Sequence, residues 1–534
     1  MSPELSPDLA HNFRRLQAQL RDRWATIRDA RYGNTDILVV PSFSLDQQEL
    51  QKIEGFLHYE ERMLFSLIRL RNPRARLIFV TSQPLPSIVI DYYLQLLPGI
   101  PFSHARDRLL LLPIYDLSLK PLSQKILERP RLIERIKTAL RPDCAYMVCF
   151  NSTALEQELS VRLNIPLFAA DPTLLQWGTK SGSRQVFRDC AIPHPDGSLL
   201  LANQEDLVLE AARLWHRNPD LKRLVVKLNE GFSGEGNAIL SLLPLDQSRQ
   251  WALDQRQGYI RDRLPHMAFE SPTETWESFQ AQIQELGVIV EAFIEGETKR
   301  SPSVQGQINP DGSVEILSTH DQILGGPSGQ IYLGCHFPAD VAYRLMLHDY
   351  GQRIGEYLGK LGVLERYGVD FVAVAHPLPS GEVHWTLDAI EINLRKGGTT
   401  HPFMTLKLLT NGDYIAESGL FLGKQGAAKY YLATDNLQRD SYRGLMPTDL
   451  MDIIAHHGLH FDTGSETGTV FHLMGCLSEF GKLGMTSIGN SPEEAQRVHQ
   501  RVIQVLDAET TGPYSDGSFH THPIAPIVWH HSGD

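Results

Sequence analysis

Two acidic residues attract attention by their spacing. Gly368-Val-Asp-Phe-Val-Ala-Val374 and Ile390-Glu-Ile-Asn-Leu-Arg395 read as strands joined across Pro377-Leu-Pro-Ser-Gly-Glu382. Placing Ser380 and Gly381 at the centre of the turn sets Asp370 directly opposite Glu391. Like charges facing each other across a ladder, roughly 5 Å apart, repel, so a pair held there calls for a cation between them. Asn393 lies two residues beyond Glu391 and shares its face, adding a neutral oxygen. An all-oxygen set without His or Cys suits Mg2+ rather than zinc. The same pattern, taken alone, also fits polar positions on a solvated sheet face with a bulge breaking the register.

Three upstream segments add to this pair. Leu224-Val-Val-Lys-Leu228 is strand-like, with Lys227 turned away from the apolar face, and it runs into a loop holding Gly231, Phe232, Ser233, Gly234 and Gly236. Glycines there let backbone N–H groups approach phosphate oxygens. The loop is not the G-x-x-x-x-G-K-[ST] pattern, so a Walker-type P-loop is excluded, and in isolation it reads as a plain hairpin turn. In Gly178-Thr-Lys-Ser-Gly-Ser-Arg184, Lys180 and Arg184 are four apart and share one helix face. Val288-Ile-Val-Glu-Ala-Phe-Ile294 is an apolar strand that turns polar at Glu291. Its end can offer backbone groups to an adenine edge and Phe293 and Ile294 to the ring, with Glu297 placed to accept from ribose hydroxyls.

In this order the four segments resemble the ATP-grasp superfamily: a first lysine (Lys180), a second lysine with a Gly-rich loop (Lys227, Gly231 to Gly236), a Glu-x-aromatic-aliphatic hinge (Glu291, Phe293, Ile294), then Asp370, Glu391 and Asn393. The match spans about residues 171–410. Glu297 follows the hinge one residue sooner than in many members. Tyr92-Tyr-Leu94, Glu128-Arg-Pro130, Gly178 to Arg184 and Arg395-Lys-Gly-Gly-Thr-Thr400 are similar to the pheganomycin-type peptide ligases.

The resemblance implies ATP as substrate and two Mg2+ ions. A carboxylic acid, amino acid or peptide would be activated to an acyl phosphate and then attacked by an amine acceptor, giving a peptide or amide bond. Lys180 and Lys227 would hold the α- and β-phosphates. Arg395, two residues past Asn393 and on the same face if the strand persists, is the candidate catalytic residue, orienting the carboxylate and stabilising the oxyanion. His401 is either a base or a support for its loop. A carboxylate–thiol ligase, a phosphotransferase and a non-catalytic nucleotide-binding protein are the alternatives on the same fold.

The elements that must position these residues form an α/β beginning and an α+β remainder. Asp36-Ile-Leu-Val-Val40, Arg76-Leu-Ile-Phe-Val80, Arg108-Leu-Leu-Leu-Leu112 and Ala145-Tyr-Met-Val-Cys149 alternate with helical runs. They predict a Rossmann-like pre-ATP-grasp domain over 1–170, without a dinucleotide fingerprint. A two-part ATP-grasp fold with antiparallel sheets follows: lid and small subdomain over 171–290, core with the metal site over 291–410. A C-terminal helical part covers 411–509 and a tail 510–534. His456 and His460 have metal-ligand spacing, but Gly458 interrupts any helix between them.

The 534 residues exceed what one core can organise, and 50 basic against 63 acidic side chains leave a net charge of −13, which disfavours nucleic acid and anionic membranes as partners. No run of about 18 apolar residues occurs, the start lacks a signal-peptide pattern, and the 5 cysteines form no C-x-x-C pair, so a cytoplasmic protein is expected. A homo-oligomer is left open.

Overall fold

A computed structural model describes residues 7–28, 33–45, 50–51, 53–231, 236–271, 274–325 and 331–511. Runs of Leu, Ile and Val that are apolar on both faces form the first sheet: β1 (Thr35–Val40), β2 (Ala75–Thr81), β3 (Leu109–Pro113) and β4 (Ala145–Cys149). They pair in parallel in the order β3-β2-β1-β4. The chain winds from β1 towards β3 and then returns to the other side of β1 for β4, so the winding direction reverses between β1 and β4.

A 16-residue 3-10 helix, Phe56–Arg71, links β1 to β2 and buries Glu60, Glu61 and Arg62. Burial pushes the Glu61 carboxyl up to about 8, against the Gly475 and Met474 N–H groups and with Glu60 adding to the rise. Among the described residues Glu61 Oε2 has no hydrogen-bond partner. A carboxyl raised in the folded state stabilises the fold while it stays protonated, and that contribution is lost as pH climbs through its folded pKa. We therefore expect the urea midpoint to fall from about pH 5 to about pH 8 and then to level off, and that of Glu61→Gln to fall less; equal slopes would show that Glu61 does not carry the effect.

The second sheet is small and antiparallel: β5 (Arg223–Leu228), β6 (Asn237–Ser241), β7 (Ala268–Phe269) and β8 (Val288–Ala292), ordered β7-β6-β5-β8. It packs with its own core, in which Leu224, Val226, Val288 and Val290 meet Trp215, Phe279 and Ile283.

The third sheet has 10 strands. β9 (Lys299–Ile308), β10 (Val314–Gly325), β11 (Ile331–Phe337), β12 (Glu365–Pro377) and β13 (Val383–Asn393) come first. β14 (Asp413–Ile415), β15 (Leu420–Leu422), β16 (Ala428–Gln438), β17 (Gly468–His472) and β18 (Lys482–Gly489) complete it. The order is β13-β12-β9-β10-β11-β16-β15-β14, with β18 on β16 and β17 on β18.

This corrects the helical expectation for 411–509. Helices Pro447–His457 and Pro492–Thr511 are present, but five strands lie among them. β18 is buried at every position, and a short run buried on both sides shows neither a two-residue nor a helical period. Helix Pro447–His457 ends at Gly458 with φ 61°, so His456 and His460 do not share a helix face. Tail residues 512–534 lie outside the described residues. Among the described residues no helix is long and apolar enough to cross a membrane.

Candidate active site

The β12–β13 hairpin places Asp370 opposite Glu391. Its turn is nevertheless not centred where the sequence suggested. A five-residue loop closes through Leu378 N–H to Glu382 O at 2.8 Å, which alone would slip the register by one. An irregularity between Asp370 and Phe371, where Phe371 pairs with Ala389, leaves Ile390 as an extra residue and restores the expected pairing.

Asp370 accepts from Gln322 Nε2 at 2.6 Å and from Asn393 Nδ2 at 3.0 Å. Burial, with Glu391 adding to it, pushes its carboxyl up to about 6. For Glu391 burial acts in the same direction but is outweighed by Lys180, whose Nζ lies 2.5 Å from Oε1, and its carboxyl falls below the usual range. Two opposed carboxylates, one of them destabilised as an anion, with an amide oxygen alongside and no soft ligand, fit a hard divalent cation.

Lys180 opens the helix Lys180–Asp189, capped by Thr179 Oγ1 accepting from Gly182 N at 3.1 Å. Position 182 must be glycine, since a Cβ there would lie 1.9 Å from Gln176 O. One turn on, Arg184 turns away from Glu391 and reaches Glu291 Oε1 at 2.5 Å, while Lys227 from β5 meets Glu291 Oε2 at 2.5 Å. Glu291, 2% exposed, is thus a buried carboxylate between two cations. Burial would raise its pKa, but Lys227 and Arg184 bring it below the usual range. Its side chain is therefore committed to joining helix, β5 and β8, a role that the adenine-hinge expectation did not include.

Two cavities meet here. One of about 1110 Å³ is lined by Lys180, Lys227, Glu291, Phe293, Asp370 and Glu391 among others. The other, about 1480 Å³, is lined by Lys180, Gly231, Gly236, Glu391, Asn393 and Arg395. Lys180 and Glu391 belong to both walls. Gly236 takes φ 82° and sits against Leu228, whose N–H donates to Gly236 O at 2.8 Å. Phe232, Ser233 and Gly234 lie outside the described residues. Arg223 and Lys299 stand over the Phe293 ring at 3.8 and 4.6 Å. Glu297 is exposed and lines neither cavity.

Gln322 and Lys299 line the first cavity from β10 and β9, and Arg184, expected on one helix face with Lys180, serves Glu291 instead. Within β10, Asp321 and Gln322 line the first cavity, while His320 beside them is buried with its Nε2 2.6 Å from Tyr431 Oη. His401 lines neither of these two cavities. Its Nε2 lies 2.9 Å from His472 Nε2 and 3.0 Å from Asp435 Oδ1. Arg62 Nη1 donates to Asp435 Oδ2 at 2.6 Å, neutralising that carboxylate and closing the cluster as an ion-pair network, which favours the loop-support reading of His401.

The family described as IQCH-like, ATP-grasp matches residues 173–272 and 263–413, and the PGM1 C-terminal domain matches 449–502. The chain is 31% identical over 497 residues to an L-propargylglycine–L-glutamate ligase of Streptantibioticus cattleyicolor, covering 90% of this chain and 95% of that protein. It is 23% identical over 551 residues to the IQ motif-containing protein H of Danio rerio, covering 95% of this chain and 51% of that one. The biotin carboxylase domain of the Hydrogenobacter thermophilus 2-oxoglutarate carboxylase shares the fold, with TM-score 0.52 at 12% identity over 88% of this chain and 89% of that chain. Similarity of this extent to the Streptantibioticus enzyme, together with the family match over the two cavities, establishes that the chain belongs to the ATP-grasp family of ATP-dependent ligases.

Proposed function

We propose that this protein joins two amino acids, or an amino acid and a small peptide, through an acyl phosphate, releasing ADP and phosphate. The observation that carries this reading is the placement of Asp370 opposite Glu391 on the boundary between the two cavities. A triphosphate in the first cavity and a carboxylate in the second would meet at that boundary. Asp370, Glu391 and Asn393 would hold Mg2+, which when bound supplies positive charge against the phosphate oxygens.

Lys180 and Lys227 sit in the first cavity as the cations for the phosphates. Arg395, in the second, is suited to orient the attacking carboxylate and to stabilise the oxyanion formed when the amine adds. One carboxylate oxygen bonds to the γ-phosphorus as ADP leaves. The amine then forms the C–N bond, loses a proton and expels phosphate. L-Glutamate, named for the Streptantibioticus relative, is the first substrate to try. The five unpaired cysteines suit a reducing compartment such as the cytoplasm.

The test is ADP release over a panel of amino acids offered singly and in pairs, with product mass read in parallel. We expect ADP to require a pair, and hydroxylamine to divert the activated acid to a hydroxamate. ADP without an amide product, or a thioester in its place, would overturn the assignment.

A further inference from the structure

The second cavity extends beyond Arg395 to the ends of β1 and β4, where the winding of the parallel sheet reverses. Open α/β sheets bind ligands in the crevice outside the carboxyl ends of their strands at such a point. Here Leu45 follows β1, Asn151, Ser152 and Thr153 follow β4, and all four line the cavity.

Most polar groups of this crevice are already engaged. Asn151 spans it, its Oδ1 accepting from Ser44 N at 2.9 Å and its Nδ2 donating to Ser44 O at 3.1 Å. Glu156 accepts from Thr153 N at 2.8 Å, Thr153 Oγ1 at 2.7 Å and Ser44 Oγ at 2.5 Å. Ser152 differs. It is 3% exposed, and among the described residues its Oγ has no hydrogen-bond partner. Buried hydroxyls are ordinarily satisfied, and this one stands just ahead of the helix Ala154–Leu163, whose N-terminal end favours negative charge. Next to Arg395, Lys396 N donates to Phe150 O at 3.2 Å and Lys396 Nζ to Cys149 O at 2.8 Å. These bonds fix the segment carrying Arg395 to the end of β4.

We propose that this crevice receives a carboxylate group of an amino-acid substrate, with the Ser152 hydroxyl as donor and Arg395, which lines the same cavity, as its cationic partner. The assignment rests on the ligase reading. The same chemistry serves either the carboxylate that is activated or the unreacting α-carboxylate of the acceptor, and the two are separable by which substrate feels a change at position 152.

The experiment uses the full chain, with L-glutamate and L-propargylglycine as probes, and compares Ser152→Ala and Ser152→Asp. We expect Ser152→Ala to raise KM for one amino acid roughly tenfold, as for loss of a hydrogen bond to a charged group. The KM for ATP should stay within about twofold and Tm should not fall, because the hydroxyl has no partner to lose. Ser152→Asp, which sets like charge against the ligand, should raise the same KM roughly a hundredfold. The α-amide of the affected amino acid should be a poor substrate for the wild type and no poorer for Ser152→Ala.

Unchanged KM for both amino acids in both variants sinks the crevice assignment and leaves the ligase standing. Calorimetric binding without turnover, abolished by Ser152→Asp, sustains the crevice and sinks the ligase. Failure of the wild type to bind either amino acid in the presence of ATP and Mg2+ sinks the crevice as well.

Discussion

Glu291→Ala is expected to destabilise the protein by about 3–5 kcal/mol, the range found when one member of a buried ion pair is removed. Lys227 and Arg184 would both remain buried, without the carboxylate that each meets at 2.5 Å. Arg184 keeps its bonds to Ser198 O and Pro195 O, both at 2.9 Å, so the larger burden falls on Lys227. Glu291→Gln, of nearly the same shape, should lose less and should still raise KM for ATP, because a displaced Lys227 no longer faces the phosphates. Urea unfolding and ATP titration separate the two effects. A loss below about 1 kcal/mol for the alanine variant would mean that water or backbone groups replace the carboxylate at little cost.

Asp370→Asn is expected to reduce turnover by roughly a thousandfold or more, as for loss of charge stabilisation at a phosphoryl-transfer site. Its stability without ATP should hold or rise, because a carboxylate directly opposite Glu391 is unfavourable in the empty site. Glu391→Gln should lose turnover to a similar degree but also lose stability, since it leaves Lys180, 7% exposed, without its partner at 2.5 Å. Steady-state rates and urea midpoints on the two variants test this contrast. Turnover within about tenfold of wild type in Asp370→Asn would refute its role as a metal ligand.

The carboxylate pair was legible because alternation along a strand fixes which residues share a face, and because two misreadings of the hairpin cancelled. The loop is centred on Ser380 rather than between Ser380 and Gly381, which shifts the pairing by one, and the irregularity beside Asp370 compensates. Neither feature has a strong local signature. The parallel sheet was readable from its aliphatic runs, and the lysines from the motifs around them. Gln322 was not, since its contact with Asp370 reaches across β9, and the neighbours of a strand are set by topology rather than by its own residues. The partners of Glu291 were missed for a related reason: Arg184 shares a helix with Lys180, yet the two side chains go to different carboxylates. Among the strands of 413–489, β17 and β18 were lost because short segments buried on both sides look alike whichever element they adopt.

The network of Arg62, Asp435, His401 and His472 ties the first sheet to the third at a junction of segments distant in sequence. Tyr93 Oη donating to Phe471 O at 3.2 Å and Arg71 Nη1 donating to Leu408 O at 3.3 Å reinforce it, and one apolar cluster runs through both layers. The β5–β8 layer has a separate cluster. A shift of that layer relative to the other two sheets would carry Lys227 and would load the Arg184–Glu291 pair and the bond from Lys180 N to Asn229 O at 3.0 Å.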